Sequence, residues 1–371
     1  MNHYHEQSMK KGKIKSVLIF LNIIVVILYL FACLVPFLNA GQFWIIAILG
    51  LGFPFLLVFL LVFLFLWAIK RSKWVFLCLA ALLISIQQLS VTFAFHLKKE
   101  FVIDKPESTL RVLSWNVSRW DERNKEKRGG VSFRRLMMDF IQIQGADVLC
   151  LQEFFECQDP HYYEANIPAI EKMGYPYHYF FPSSALFDGK FQYGMAIFSK
   201  YPIIDSAEFP IEISTHSEGL SYVDIKTSSQ TLRIFSIHLE SVGFNSKDYE
   251  NLGEIQGSRG ILGKIRRSYQ LRSRQAEMAS EIIKASPYPV IVCGDLDDIP
   301  NSYVYFKIKG RLQDAFIKKG SGLGKTFRFI SPTLRIDYIL AHRKFTIKQY
   351  TRIEVPYSDH YPIVADLHYN P

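Results

Sequence analysis

From Ser16 to Phe37 the chain runs without a charged residue, and two further apolar runs, Phe43 to Ile69 and Trp74 to Phe95, follow almost at once. An uncharged stretch of about 20 residues is long enough to cross a bilayer as a helix. A secretory leader is the competing explanation, but its apolar region spans only about 7–15 residues and is not followed by others of the same kind. The sequence therefore predicts three transmembrane helices, at about 16–37, 43–69 and 74–95. Residues 1–99 are then a membrane anchor, and residues 100–371 a separate domain of ordinary soluble composition rich in Tyr and Phe.

The charge distribution gives this anchor a direction. The net charge is +9, yet in the first 99 residues Lys10, Lys11, Lys13, Lys15, Lys70, Arg71, Lys73, Lys98 and Lys99 face only Glu6, which leaves the remainder nearly neutral. Basic segments before the first span and between the second and third, with an uncharged link from Leu38 to Gln42, belong on the cytoplasmic side. Three crossings then place residues 100–371 outside, as expected of a multi-pass protein of the cell inner membrane with a periplasmic or other extracytoplasmic domain. Lys98 and Lys99 on the outer flank run against this assignment. No acid or arginine falls within a span, so the spans read as an anchor, in contact with the lipid bilayer, rather than an ion pathway. Gly50, Gly52 and Pro54 mark a close packing point or a kink in the second span.

A chain whose basic excess lies in its membrane flanks offers no concentrated electropositive face, so nucleic acid is a possible partner that charge does not favour. Five cysteines without Cys-x-x-Cys spacing, most of them in apolar runs, read as buried free thiols.

The soluble part alternates strand-like and helix-like stretches. Arg119 to Gly130 reads as a charged surface loop, Phe133 to Gln144 as a helix, and Leu271 to Ala285 as another. Glu240 to Gln270 is glycine-containing and basic, long for a connection, and open to reading as a lid, a membrane-surface contact or a disordered insertion. Several apolar strands end in polar residues. Val290 to Cys293 runs into Gly294 and then Asp295, Asp297 and Asp298; Leu110 to Leu113 into Ser114, Trp115 and Asn116; Val148 to Leu151 into Gln152 and Glu153; Leu232 to Ile237 into His238. Asp337 and the pair Asp359 and His360 follow near the C-terminus. A core strand end does not need such charge for stability, and one sheet rim would gather it. The carboxylates suit Mg2+ or Mn2+ rather than zinc, and the histidines suit proton transfer or contact with a charged substrate.

In order, Asn116 after Trp115, Gln152-Glu153, His238-Leu239, Gly294-Asp295-Leu296-Asp297, Arg335-Ile336-Asp337-Tyr338 and Ser358-Asp359-His360 resemble the successive motifs of the endonuclease/exonuclease/phosphatase superfamily, over about residues 108–369. That superfamily includes pancreatic-type deoxyribonuclease, abasic-site endonucleases, sphingomyelinases and inositol polyphosphate 5-phosphatases. The resemblance, to a membrane-anchored, bacterial-type member, implies a four-layered α/β sandwich with two mixed β-sheets and hydrolysis of a phosphoester substrate by direct attack of water. It implies Mg2+ or Mn2+ held mainly by Glu153, with Asn116 and Asp359 assisting. Asp295 would orient or deprotonate the water. His360, held by Asp337, would contact the phosphoryl oxygens, and His238 would protonate or stabilise the leaving oxygen. Tyr193, ahead of the strand that usually follows the substrate-facing loop, is a further candidate.

One position departs from the pattern. Asp297 stands where the superfamily usually has Asn, and an ionised carboxylate cannot donate to a phosphoryl oxygen as an amide can. Either Asp297 joins a metal site or it weakens catalysis. Three readings follow: an extracytoplasmic phosphoesterase acting on a phosphodiester or on a lipid or metabolite head group; a membrane-tethered nuclease, gripping phosphates with Arg119, Arg123, Lys125, Lys127 and Arg128 or with the basic group from Arg259 to Arg274; and a catalytically weakened binding domain.

Overall fold

The computed structural model describes residues 2–97, 100–210, 219–243, 255–329 and 331–371. Lys98 and Lys99, the centre of the 240–270 stretch, and the side chains of Lys10, Lys11, Arg123 and Arg259 lie outside what it describes.

Residues after 108 build two six-stranded sheets of matching plan. At the centre of one, β2 (Thr109–Asn116) and β3 (Val148–Cys157) run parallel. They are flanked by β14 (Ile363–Tyr369) and β13 (Phe345–Arg352) on one side, and by β5 (Phe191–Ser199) and β4 (Tyr177–Leu186) on the other, all antiparallel. At the centre of the second, β8 (Thr231–His238) and β9 (Val290–Asp295) run parallel. Beside β9 lie β12 (Asp337–Ala341) and β10 (Gln313–Asp314); beside β8 lie β7 (Gly219–Lys226) and β6 (Ile203–Phe209).

Central strands covered on both faces read as continuous apolar runs. β2 shows why the pattern still has a period of two: Leu110 and Val112 enter the core between the sheets, whereas Leu113 and Trp115 point outward to a second core. Cys150, Ile234, Ile291 and Cys293 fill the same middle layer. The outer core of the first sheet is closed by α6 (Arg134–Gln144) through Met137 and Ile141. That of the second is closed by α8 (Ile255–Lys284) through Ala276, Ala279 and Ile283, and by α9 (Tyr303–Lys309) through Val304 and Ile308. The order is helix, sheet, sheet, helix. All five cysteines are buried and free.

Several local expectations are corrected. Arg119 to Gly130 is not simply a surface loop: two 3-10 turns, Ser118–Asn124 and Glu126–Arg128, fold it back, and Trp120 is fully buried, edge-on to Phe154. One large aromatic in a charged stretch is enough to pull it onto the core. The helix expected from Leu271 begins at Ile255, so the second half of the 240–270 stretch is helical. β4 and β6 emerge from sequence that gave no clean alternation, because as edge strands they have no consistently buried face.

The anchor has one continuous helix, α1 (Asn2–Leu34), and two broken ones. α2 (Trp44–Leu51) and α3 (Phe53–Ile69) meet at 64° across Gly52, with Pro54 in the first turn of α3. α4 (Val75–Ile84) and α5 (Ile86–Thr92) meet at 64° across Ser85. Among the described residues, only the stretch from Gly12 to Phe37 is a single helix long and apolar enough to cross a membrane; the bent pairs qualify if each pair counts as one crossing. The third apolar run also stops being helical at Thr92, since β1 (Ala94–Phe95) pairs with β11 (Ser321–Gly322) of the catalytic domain. Inside the bundle Asn22 accepts the Trp67 indole N–H at 3.3 Å and shares a hydrogen bond with the Cys78 thiol at 3.2 Å, tying α1, α3 and α4 together.

The closest approach in the second sheet is at Gly294. A Cβ there would lie 2.0 Å from the Ile237 carbonyl oxygen, and its φ of +138° is one that L side chains rarely adopt. We expect Gly294→Ala to cost about 2 kcal/mol or more, seen as a lower thermal unfolding midpoint of the detergent-solubilised full chain. An unchanged midpoint would mean that β8 and β9 can separate freely.

Candidate active site

The two parallel pairs decide where the polar residues go. β2, β3, β8 and β9 end at one rim, and their antiparallel neighbours begin there, so Asn116, Glu153, His238, Asp295, Asp337 and His360 converge although they are spread over most of the domain. Register is explicit in the second sheet: Asp295 lies opposite His238 on one side and opposite Asp337 on the other. Glu153 reaches the rim by a different device. It sits with φ +46° at the register shift between Leu151 and Phe154, a bulge that re-aims its side chain.

Hydrogen bonds fix most of these groups. Asn116 Nδ2 donates to Glu153 Oε1 at 3.2 Å and to Asp295 Oδ2 at 3.3 Å, while its Oδ1 accepts from the Ser118 amide at 3.0 Å. Both Asp337 oxygens lie within hydrogen-bond reach of His360 Nδ1, at 2.9 and 3.1 Å. Asp337 is itself held by its backbone amide, which donates to Thr326 Oγ1. His360 is framed by Phe327, by Ser358 Oγ accepting from its amide, and by Trp115 Nε1 donating to its carbonyl. With Nδ1 directed at Asp337, Nε2 is left to face the cavity. Asp359 lines the same cavity and accepts from the Ser358 hydroxyl at 3.1 Å.

His238 Nε2 lies 3.6 Å from Asp297 Oδ2 and 3.9 Å from Asp295 Oδ2. Burial works against a charge on His238, but the Asp297 contact and the charges of Asp295 and Glu153 push its pKa up to about 10. Burial likewise disfavours charge on His360, and the Asp337 and Asp295 carboxylates outweigh it, holding this imidazole well above the usual histidine range. Asp295 goes the other way for a carboxyl: burial and the neighbouring Asp297 charge raise it to about 8, against the opposing pull of the two histidines.

Asp297 takes a left-handed backbone, φ +50°, and its amide donates to Asp295 Oδ1 at 2.8 Å. Sequence reasoning missed what balances it. Arg272 of α8 is buried beside it, with NH1 3.6 Å from Asp298 Oδ2 and its other nitrogens donating to the Glu240 carbonyl and Ser268 Oγ. Burial raises Asp298 to about 6 even with Arg272 opposing that shift. For Asp297, the His238 contact and the Arg272 charge win over burial and lower its pKa. The signal was a lone arginine on the apolar side of a helix, hidden among other basic residues.

The donor set fits a hard divalent cation. His238, Asp295 and Asp297 offer ligand atoms within 4.8 Å of one another, as do Asp295, Asp337 and His360. Asp297 Oδ2 is buried without a hydrogen-bond donor within 3.5 Å, and Asp295 is held towards its protonated form by burial and by the neighbouring Asp297 charge. Glu153 belongs to neither group and connects to Asp295 through Asn116. Tyr193 stacks on Phe155, away from the cavity wall.

Arg272→Met would leave the Asp298 carboxylate buried without its cation and Asp297 with His238 alone, a change of the kind that costs about 3–5 kcal/mol. Adding Asp297→Asn should recover part of that loss. A thermal double-mutant cycle measures it, and strictly additive effects would show that Arg272 does not compensate Asp297.

Residues 113–360 match the model of the Endonuclease/Exonuclease/phosphatase family, and residues 15–92 match one described as a domain of unknown function. No curated protein matches the chain. Among solved structures, the endonuclease/exonuclease/phosphatase from Beutenbergia cavernae DSM 12333 is similar with a TM-score of 0.54 at 18% identity, over 71% of this chain and 72% of that one. The human Nocturnin catalytic domain with bound sulfate anion gives 0.51 at 20% identity, over 74% and 97%. An endonuclease/exonuclease/phosphatase family protein from Bacteroides thetaiotaomicron gives 0.50 at 18%, over 71% and 98%. These likenesses concern the fold, and together with the family match over two thirds of the length they close the matter of ancestry: the chain belongs to the endonuclease/exonuclease/phosphatase family.

Proposed function

We propose that the protein is a Mg2+- or Mn2+-dependent phosphoester hydrolase, anchored by three membrane crossings, whose domain of residues 100–371 works outside the cytoplasm. The observation that carries the chemistry is the Asp337–His360 pair set against Asp295 on a rim that also holds Asn116, Glu153 and His238.

In this reading a water oxygen bonds to phosphorus as the ester P–O bond breaks. Asp295 takes the proton of the water, and His238 supplies one from Nε2 to the leaving oxygen. His360, oriented by Asp337, donates from Nε2 to a phosphoryl oxygen as charge grows there. Asp297, whose ligand atom lies within 4.8 Å of those of Asp295 and His238, would hold the cation together with Glu153 and Asp359 from the same cavity wall, with Asn116 positioning Glu153; when bound, the cation would supply positive charge beside the phosphoryl oxygens and draw Asp295 towards its ionised form. Asp297 then acts within a balanced set, with His238 and Arg272 beside it, which speaks against a weakened site. The nuclease reading loses support at the basic loop: Arg128 pairs with Asp121, Lys125 approaches Glu122 at 3.9 Å, and Arg119 approaches Glu153 at 3.8 Å.

The topology rests on which ends of the helices are basic. Lys13 and Lys15 precede the apolar part of α1, and Lys70, Arg71 and Lys73 join α3 to α4, whereas the opposite ends of the helices touch the catalytic domain. Phe20, Phe31, Phe55, Phe65, Phe76 and Leu83 are exposed along the helices, an apolar surface that lipid would cover.

The purified full chain should hydrolyse phosphoesters with Mg2+ or Mn2+ and stop with chelator. Asp295→Asn or His360→Ala should lower kcat by about 10²–10⁴-fold, and Asp297→Asn should also lower it; a rise on restoring that amide would favour the weakened-domain reading. A reporter fused after Pro371 should be active only outside the cytoplasm, and cytoplasmic activity would reverse the orientation.

A further inference from the structure

The wall of the active-site cavity is completed by the anchor. A cavity of about 370 Å³ is lined by Asp295, His360 and Arg272 and also by Leu51, the last residue of α2. This contact is built in. Gly50, one residue earlier, faces the loop that follows the Asp295–Asp298 carboxylates so closely that a Cβ would come 3.0 Å from the Asn301 carbonyl oxygen. Asn301 Nδ2 in turn donates to the Ala32 carbonyl near the end of α1 at 3.0 Å. The break between α2 and α3 at Gly52 is what turns Leu51, 38% exposed, towards the site.

The other side of the cavity leads to the same place. Tyr269 of α8 lines it and, with Ile265, packs against Trp44, Ala47 and Ile48 of α2. The first turns of α8 therefore lie alongside an anchor helix. There they carry the exposed apolar Leu262 together with the exposed Arg266 and Arg267. Apolar side chains beside exposed arginines are the composition of a helix lying in the head-group layer of a bilayer.

Resting on the phosphoesterase reading, we propose that the substrate is a phosphoester in the head group of a lipid in the same bilayer, which enters over Leu51 and Tyr269 with its acyl chains still in the membrane. The loop that follows the catalytic carboxylates packs on Gly50 and Leu51 lines their cavity, beside the helix break, so a phosphate at head-group depth needs no extraction into water. The cavity has room for a head group, and its anchor-side wall is apolar where the glycerol or acyl portion would pass.

The test uses the full chain in vesicles containing phosphatidylcholine, phosphatidylethanolamine, phosphatidylglycerol and phosphatidic acid, with Mg2+ or Mn2+. Head-group or phosphate release is compared with that from the dibutanoyl forms of the same lipids in solution, from bis(p-nitrophenyl) phosphate and from DNA. At least one long-chain lipid should exceed its dibutanoyl form in kcat/KM by about tenfold or more. Leu51→Glu should lower that ratio by about tenfold, with its thermal unfolding midpoint reporting that the variant is folded. If Leu51→Glu does not fold, Leu51→Ala should shift the ratio in the same direction, and the wild-type comparison stands without either variant. Equal turnover of long-chain and dibutanoyl forms, or turnover of the soluble esters or DNA alone, would overturn the lipid assignment and leave the hydrolase reading intact. No turnover of any ester would overturn both.

Discussion

The register of β9 between β8 and β12 is the constraint from which the catalytic rim follows. Backbone pairing puts His238, Asp295 and Asp337 side by side across three strands, and once they are there the charges cannot be arranged at will. A one-residue slip of β9 would turn Asp295 into the core and bring Gly294 or Leu296 to the rim. Gly294 guards against that slip, because only a residue without Cβ passes the Ile237 carbonyl. The first sheet repeats the plan with β2 and β3, and Gln152 Nε2 donating to Ser236 Oγ at 3.0 Å links the central strands of the two sheets. The rim is thus one object built from two sheets.

Concentrating carboxylates at one rim has a cost that the neighbouring cations offset. Asp295, Asp298 and Asp337 are buried and Asp297 is partly so, and unpaired they would resist ionisation. His238 and His360 answer two of them, and both imidazoles are pushed towards their charged forms as a result. Arg272 answers Asp298, and shares Asp297 with His238, from a helix on the outer face of the sheet. The balance still falls short at Asp295, which burial and Asp297 hold up at about 8. Replacing the family's usual amide by Asp297 therefore deepens a negative site that already suited a divalent cation, and the change makes sense beside Arg272 rather than alone.

Much of this was legible in the chain, for a physical reason. Buried central strands are short apolar runs, and polar residues at their ends stand out because nothing in the core requires them; Asn116, Glu153, His238, Asp295, Asp337, Asp359 and His360 were readable for that reason. What the sequence hid was long-range or subtle. Trp120 lies in a run of charges, and only its burial against Phe154 shows that the run folds inward. β4 and β6 lack a buried face of their own, so no alternation announced them. Gly52 and Pro54 marked the kink in the second apolar run, but nothing in the third announced the bend at Ser85. Asn22 and Tyr29, whose side chains hydrogen-bond across the bundle, read as ordinary members of an apolar run.

Arg335 shows how far the anchor and the domain are one structure. It stands two residues before Asp337 in the chain, yet its side chain points away from the site. The guanidinium is fully buried, stacked over Phe316, 3.5 Å from Asp314, and it donates to the Val91 carbonyl at the end of α5. Helix ends leave carbonyls without partners, and here a catalytic-domain arginine satisfies one. Asn39 to Glu277, Gly41 to Ser273 and Asn301 to Ala32 repeat the arrangement at the other junctions. A flexible tether would need none of these buried polar contacts, each of which fixes the angle between helix and domain. The stretch that orients His360 through Asp337 also clamps the end of α5 through Arg335, two residues away. Geometry at the His360 site and geometry at the junction with the apolar helices are set by the same short stretch of chain.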